Sequence, residues 1–224
     1  MSERTIAVRY AEAVESFVVF ARTLGDADWA TPVPCTPLWT ARDVLSHVAG
    51  VPDDGLAGRL DGAATDPWTA SQVERNAHHS VDELLARLLE QHERFGSALD
   101  HIGEVRPPFD CHSHEHDLRQ ALGRPGNRDS AVIDDAATLM ITFLDAPVGV
   151  AVNFDDGTDV SGGAADAGRT VSLATTKFEV FRSQLGRRSA AQVRALDWSG
   201  GDADIDAVVA GWFTFGPSDT HIVE

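Results

Sequence analysis

Three of the nine histidines in this 224-residue chain fall within five residues of one another. They are His112, His114 and His116, and they lie in the acidic run that begins at Asp110 and ends at Asp117. On a helix, residues four apart share a face, so Asp110 and His114 point one way and His112 and His116 another. A carboxylate and an imidazole on one helix face can hold two corners of a metal site.

The other interpretation of this run is a charged, solvated helix face whose histidines serve capping or packing. A catalytic metal site also needs a third protein ligand and an open position for water or substrate. His47 is the candidate for that ligand. A histidine beside Val44 and Leu45 is, by itself, typical of a core position, but facing helices of a bundle supply inward-pointing ligands to one site. We therefore predict a metal site made of His47, Asp110 and His114.

Helical periodicity indicates the elements that must position these side chains. The five main helices are predicted at Thr5 to Leu24, Thr40 to about Gly50, Ser80 to about Ile102, Phe109 to Leu122, and Ser130 to Pro147. Thr40 and Ser80 are N-cap candidates, because Asp43 and Glu83 stand three residues later in the capping-box position. Gly25 to Trp39 is predicted as a loop, and Gly55 to Asp66 as a short or loose helix followed by a loop.

After Pro147 the pattern changes to short β-type runs, at Val148 to Phe154 and Thr170 to Thr175, with the turn-rich segment Asp155 to Gly168 between them. Three short helices are predicted at Thr176 to Leu185, Ser189 to Leu196 and Ile205 to Ala210. The sequence thus predicts a mainly α protein, with a helical bundle over residues 1–147 and a small α/β domain over residues 148–224.

Charge and composition narrow the class of function. The formal net charge of −17 disfavours nucleic acid and anionic membrane surfaces, since both bind through Lys and Arg. No apolar run approaches the ~20 residues that span a bilayer, and the charged N-terminal segment lacks a signal-peptide core, so we expect a cytoplasmic protein. Cys35 and Cys111 form no CxxC motif or disulfide framework and are interpreted as packed thiols. A reactive thiol would therefore arrive with a cosubstrate.

The two motifs together resemble the mycothiol-dependent maleylpyruvate isomerase family, within the DinB-like superfamily of metal-binding four-helix bundles. The first motif is matched by Pro34, Cys35, Trp39, Thr40, Asp43, Val44 and His47, and the second by Asp110, His114, Asp117, Leu118, Ala121, Leu122 and Gly123. The segment from Trp68 resembles the family's linker into its third helix. Residues 178–200 resemble the small C-terminal domain of many members.

The resemblance implies a divalent metal ion, zinc in the first instance, and mycothiol as thiol cosubstrate. In the family's isomerases a mycothiol thiolate adds to a double bond, the adduct rotates about the resulting single bond, and the thiol leaves. Relatives use the activated thiolate for S-transfer. The carboxylates of a small substrate would need cations, for which Arg182, Arg187 and Arg188 are candidates, with surface ion pairs as the alternative. Trp39 is expected to line the cofactor pocket or to pack in the core.

One residue departs from the family pattern, because its acidic ligand is usually Glu and here it is Asp110. The shorter side chain reaches less far, and His112 or His116 could support or compensate it. A ligating imidazole usually gives its other N–H to a carboxylate or carbonyl. Asp43 and Asp117 are the candidates for that support.

Two other functions stay open from the sequence. One is a metalloenzyme of the same fold that uses no thiol and performs hydrolysis or a biosynthetic rearrangement. The other is a non-catalytic binding module with a structural metal or none. In each case the expected partner is a small molecule, and the chain is expected to be a monomer or a homodimer.

Overall fold

A computed structural model of the chain describes residues 4–164 and 168–224. These residues form a mainly α structure, with ten helices and one small four-stranded sheet. The chain divides into two compact units, of which the first ends at Gly126 and the second begins at Asn127. The mainly α fold class predicted from the sequence, with its small α/β part after the helices, is confirmed.

The first unit contains a four-helix bundle. Its helices are α1 (Ile6–Ala21), α2 (Asp26–Trp29), α3 (Ala41–Ala57), α4 (Asp66–Asn76), α5 (Val81–Ile102) and α6 (Arg106–Ala121). Helices α1 and α3 each pack against both α5 and α6, which closes the four-helix arrangement. The short helix α4 packs against α3. The bundle core is apolar, with Phe17, Leu45, Leu88 and Leu118 among its buried side chains.

The predicted helix starts in this unit are confirmed by their caps. The Thr40 hydroxyl accepts from the backbone N–H of Asp43, and the Asp43 carboxylate accepts from the backbone N–H of Thr40 at 2.9 Å. The same reciprocal pair joins Ser80 and Glu83 at the start of α5. These caps fix where α3 begins, and with it the register that places His47 on the face toward α6.

Two features between Gly50 and Asn76 differ from the sequence prediction. Helix α3 continues through Pro52 and ends at Gly58, which has a φ of 70°. Proline removes one backbone donor, and the remaining hydrogen bonds and packing carry the helix past it. Helix α4 also lies where only a loop and a linker were expected. Its side toward α3 is lined by polar side chains, which apolar periodicity does not detect.

The second unit combines helices with the sheet. Its elements are α7 (Ala131–Thr142), β1 (Gly149–Phe154), β2 (Asp159–Gly163), β3 (Thr170–Thr175), α8 (Lys177–Gln184), α9 (Ala190–Arg194), β4 (Asp197–Ser199) and α10 (Asp202–Ala210). The strand order is β2-β1-β3-β4; β1 and β3 are parallel, and both edge strands are antiparallel to their neighbours. The edge strands were not predicted, since both are short, and residues 165–167 of the predicted turn segment lie outside the described residues.

Helix α7 belongs to the second unit, although the sequence analysis placed it in the first. It packs against α8 and β2, and its Ala137 and Ile141 join the core that the sheet forms with α10. The change in sequence texture at Pro147 marks the start of β1 and therefore lies after the structural boundary at Gly126. Among the described residues, no helix has both the length and the apolar character needed to cross a bilayer.

Candidate metal centre

One carboxylate lies between two imidazoles where α3 faces α6. Nε2 of His47 is 3.3 Å from Oδ2 of Asp110, and Nε2 of His114 is 3.4 Å from Oδ1 of the same carboxylate. One potential ligand atom from each residue lies within 4.8 Å of the others. Among the described residues, this is the one cluster of three or more metal-ligand side chains. The structure thus brings together the three residues that the sequence singled out.

Two of the separations between these side chains suit a tetrahedral ion. Ligand atoms that stand about 2.0–2.1 Å from zinc in tetrahedral directions are separated from one another by about 3.3 Å. The two measured nitrogen–oxygen separations are close to this value. Two histidines and one carboxylate are also a donor set typical of catalytic zinc. The shorter Asp110 therefore reaches the site without a glutamate's extra methylene.

The helices explain why the three side chains meet. Asp110 and His114 are one turn apart on α6 and share a face, as their spacing predicts. His47 comes from α3, which packs against that face of α6. The two histidines are nearly fully buried, at 3% and 4% exposed, whereas the Asp110 side chain is 38% exposed. Solvent therefore reaches the site from the Asp110 side, where further ligands could enter.

Electrostatics couples the carboxylate to the imidazoles. Partial burial raises the pKa of Asp110, but the neighbouring His114 and His47 lower it more, so it lies well below its ordinary value. Burial lowers the pKa of His114, but Asp110 and then Asp117 raise it further, to a net increase. Both shifts favour a carboxylate at Asp110 beside an imidazolium at His114 in the metal-free protein. A metal ion that binds Nε2 of His114 competes with the proton there.

Each histidine has a polar partner near its other ring nitrogen. Nδ1 of His114 lies 3.0 Å from Oδ2 of Asp117, which is fully buried. Nδ1 of His47 lies 2.6 Å from Oε1 of Gln72 on α4. Asp117 is thus one of the two supports expected from the sequence. Asp43 is not the other, because its carboxylate caps α3. Gln72 was not predicted as a support, because a buried polar residue gives no signal in the apolar pattern of a helix.

Two tryptophans flank the imidazoles. The ring centroid of Trp39 is 5.3 Å from that of His47 and 6.2 Å from that of His114. The Trp68 ring stands edge-on to His47, at 6.4 Å between centroids, and its indole N–H donates to the carbonyl of Arg59. Trp39 therefore lies beside the candidate site, and its role in binding a cofactor stays a prediction.

The remaining histidines of the motif occupy the opposite face of α6. His112 and His116 are buried with their ring centroids 5.0 Å apart, and Nδ1 of His112 is 3.6 Å from Oε2 of Glu115. Glu115 also accepts a hydrogen bond of 2.7 Å from Arg119. The helical spacing thus correctly predicts two separate clusters on α6. The face that carries His112 and His116 is buried, however, and is not a solvated face. It is an interior polar layer.

The arginines predicted to bind substrate carboxylates lie in the second unit. Arg182 is fully buried and its guanidinium contacts the Glu224 side chain at 2.6 Å. Arg188 contacts Glu179 at 2.8 Å and Glu224 at 2.9 Å, so Arg182 and Arg188 form buried ion pairs, not surface ones. Nη1 of Arg187 donates to the carbonyl of Leu185 at 2.6 Å. Recognition of a substrate or cofactor by Arg182 and Arg187 stays a prediction.

Cys111 provides no nucleophile at the site. Cys111 is buried, and burial followed by the charges of Asp110 and Glu115 raises the pKa of its thiol well above the ordinary value. A thiol in such an environment stays protonated and inert. Cys35 is half-buried in the loop before α3. The catalytic thiol, if the chemistry uses one, is not Cys111.

Fold and site together define a class: a helical bundle with a two-histidine, one-carboxylate candidate metal centre between facing helices. The family model of the mycothiol maleylpyruvate isomerase N-terminal domain matches residues 10–109. Residues 10–109 are thus similar to that N-terminal domain. The match includes His47 and stops one residue before Asp110. Comparisons with curated proteins and with solved structures gave no match.

Proposed function

We propose that the protein binds one divalent metal ion, zinc in the first instance, through His47, Asp110 and His114, and that it is an enzyme using mycothiol. The reaction is cis–trans isomerisation or S-transfer on a small carboxylated molecule. The observation that carries the proposal is the convergence of two imidazoles on one part-exposed carboxylate, with one potential ligand atom of each residue within 4.8 Å of the others. The similarity of residues 10–109 to the family's N-terminal domain supports the choice of thiol.

The charges of the ligands suit a thiolate. Two neutral imidazoles and one carboxylate leave a divalent site with a net charge of about +1, which attracts an anionic sulfur. When bound, the ion supplies Lewis acidity and lowers the pKa of a coordinated thiol or water. The protein as a whole repels anions, with a net charge of −17, so the attraction is local to this site.

The side chains around the ligands perform the remaining tasks. His47 and His114 each have a polar partner near Nδ1, and both present Nε2 toward Asp110. Trp39 and Trp68 provide apolar surface beside the imidazoles. Such surface limits water near the sulfur and strengthens the electrostatic interactions of the site.

The test is metal content by elemental analysis of purified protein, wild type and His114→Ala, followed by calorimetric titration with mycothiol. We expect about one zinc per wild-type chain, little in the variant, and mycothiol binding that disappears after chelation. His101→Ala is the matched control, because His101 is an exposed histidine outside the cluster. Metal without any effect on mycothiol would favour the thiol-independent metalloenzyme. Wild-type protein that takes up no zinc would favour the binding module.

A further inference from the structure

A buried carboxylate lies two helical turns after His47 on α3. Asp54 is almost inaccessible, and it accepts hydrogen bonds from Nε of Arg59 at 2.7 Å and from Nη2 of Arg75 at 2.6 and 2.7 Å. Charge-assisted bonds of this kind satisfy the oxygens of a buried carboxylate. Asp54 is therefore a carboxylate paired with two guanidinium groups beneath α4.

Gln72 connects this carboxylate to His47. Its Nε2 donates to Oδ2 of Asp54 at 2.9 Å, and its Oε1 is 2.6 Å from Nδ1 of His47. An ionised carboxylate only accepts hydrogen bonds, so the NH2 end of the amide must face Asp54 and the oxygen must face the imidazole. An amide oxygen also only accepts, so Nδ1 of His47 must carry the proton.

We propose that Asp54 is a positioning residue for the metal centre. Through Gln72, whose oxygen is nearer to the His47 ring (2.6 Å at Nδ1) than the Asp110 carboxylate is (3.3 Å at Nε2), it holds the ring proton on Nδ1 and leaves Nε2 for the ion. The inference rests on the proposed metal site, since Nε2 is the atom that would bind the ion. The bound amide also holds the plane of the imidazole ring, and a ligand fixed before the metal arrives binds it more tightly.

The packing around Gln72 leaves the amide little freedom. Gly50 lies directly under the Gln72 side chain, and Nδ2 of Asn76, one turn later on α4, donates to the carbonyl of Ser46 at 2.8 Å. Arg42 contacts the carbonyl of Asn76 at 3.0 Å. Gln72 is fully buried. The orientation of the Gln72 amide is thus set by its two hydrogen-bond partners, His47 and the carboxylate of Asp54.

A purely structural role would give Asp54 a different signature. In that case its ion pairs would hold α4 and the loop after α3 in place, and its loss would lower stability without changing the proton position on His47. Arg59 and Arg75 are about half exposed, at 50% and 42%, so water can solvate both when the carboxylate is neutralised. Asp54→Asn is therefore a mild change that removes the charge and the fixed order of the amide.

The experiment compares Asp54→Asn with Asp53→Asn. Asp53 is the neighbouring carboxylate of α3, and it pairs with Arg87 and with Nε2 of Gln91 on α5, away from α4. The tautomer of His47 is read from ¹⁵N chemical shifts of the ring in metal-free protein, at a pH where the ring is neutral. Zinc affinity is measured in parallel by competition with a chromogenic chelator.

We expect the Nδ1–H tautomer in wild type and in Asp53→Asn, and a mixture in Asp54→Asn with zinc affinity about 10- to 100-fold lower. Gln72→Met, which removes the relay atom, should reproduce the mixture if Asp54→Asn does not fold. An Nε2–H tautomer in wild type would overturn the proposal, as would an unchanged tautomer in Asp54→Asn or equal effects of the two aspartate variants. Zinc binding that mycothiol ignores would instead overturn the proposed function alone.

Discussion

Gly50 on α3 lies against the side chain of Gln72 on α4 so closely that no larger residue fits. A β-carbon at position 50 would lie 2.7 Å from Cβ and 2.9 Å from Cγ of Gln72. Contacts of this length force one of the two helices to move. The close approach is what allows Gln72 to reach His47.

Gly50→Ala should therefore weaken both the fold and the metal site. Alanine normally favours a helix by up to about 1 kcal/mol over glycine, but overpacking at this contact should cost about 1–3 kcal/mol. We expect a lower denaturation midpoint and a lower zinc affinity. Gly55→Ala is the control, since its β-carbon would clash with Phe95 on α5 and not with α4. It should lower stability and leave zinc affinity unchanged, and equal losses of affinity in both would contradict the argument.

Removing one of the potential ligands should abolish metal binding without unfolding the helices. His47→Ala and His114→Ala are each expected to lose stoichiometric zinc while far-ultraviolet circular dichroism keeps its helical signal. His116→Ala should keep zinc, because His116 lies on the other face of α6 with His112. Full zinc content in both ligand variants would show that the site is elsewhere, and loss in His116→Ala would move it to the second histidine cluster.

The pH dependence of the metal-free protein should report the Asp110–His114 pair. The raised pKa of His114 stabilises the fold below its ordinary value of 6.5, and this contribution disappears as pH rises through the raised value. The lowered pKa of Asp110 stabilises the fold above its ordinary value of 3.8 and is lost as pH falls. The melting temperature of wild type minus that of Asp110→Asn should therefore peak between pH 3.8 and 6.5. A difference that grows steadily above pH 8 would contradict this coupling.

The same pair predicts how zinc binding responds to pH. The ion displaces a proton from His114, so apparent affinity should rise about tenfold per pH unit until the raised pKa of His114 is passed. Calorimetry in buffers of different ionisation enthalpy measures the proton released. Binding at pH 6.5 without proton release would show that His114 is already neutral there.

Substitution of Asp43 tests whether this residue caps α3 or supports His47. Asp43→Ala removes the carboxylate that accepts from Thr40, which should cost about 0.5–2 kcal/mol of unfolding free energy. Zinc affinity should stay within a few-fold of wild type, because Gln72 and not Asp43 holds His47. Chemical denaturation and chelator competition check the two halves. A large loss of zinc from a folded variant would return Asp43 to the role first expected of it.

How much the sequence could predict depended on whether a feature was apolar or polar. Helices α1 and α5 have an apolar face and a cap, α6 is marked by Pro107 near its start and Gly123 after its end, and all three were predicted within a few residues of their observed bounds. The three potential ligands also followed from residue type and helical spacing. Helix α4 did not, since its two buried side chains are Gln72 and Asn76. A helix that packs through amides looks like a loop to any method that follows apolar periodicity.

The early end predicted for α3, at about Gly50, has a related physical reason. Gly50 and Pro52 are residue types that usually mark the end of a helix, and the prediction stopped α3 there. In the structure, Gly50 serves the close approach of α4, and the helix continues to carry Asp54. The residues that looked like an end are thus part of what supports His47, and only the packed structure reveals that.

All three potential ligands, both flanking tryptophans and the Asp54–Gln72 support precede Gly126, inside one compact unit with its own core. In evolutionary terms, selection for the candidate metal centre would act on the first unit, where every side chain named here as a potential ligand or its support lies.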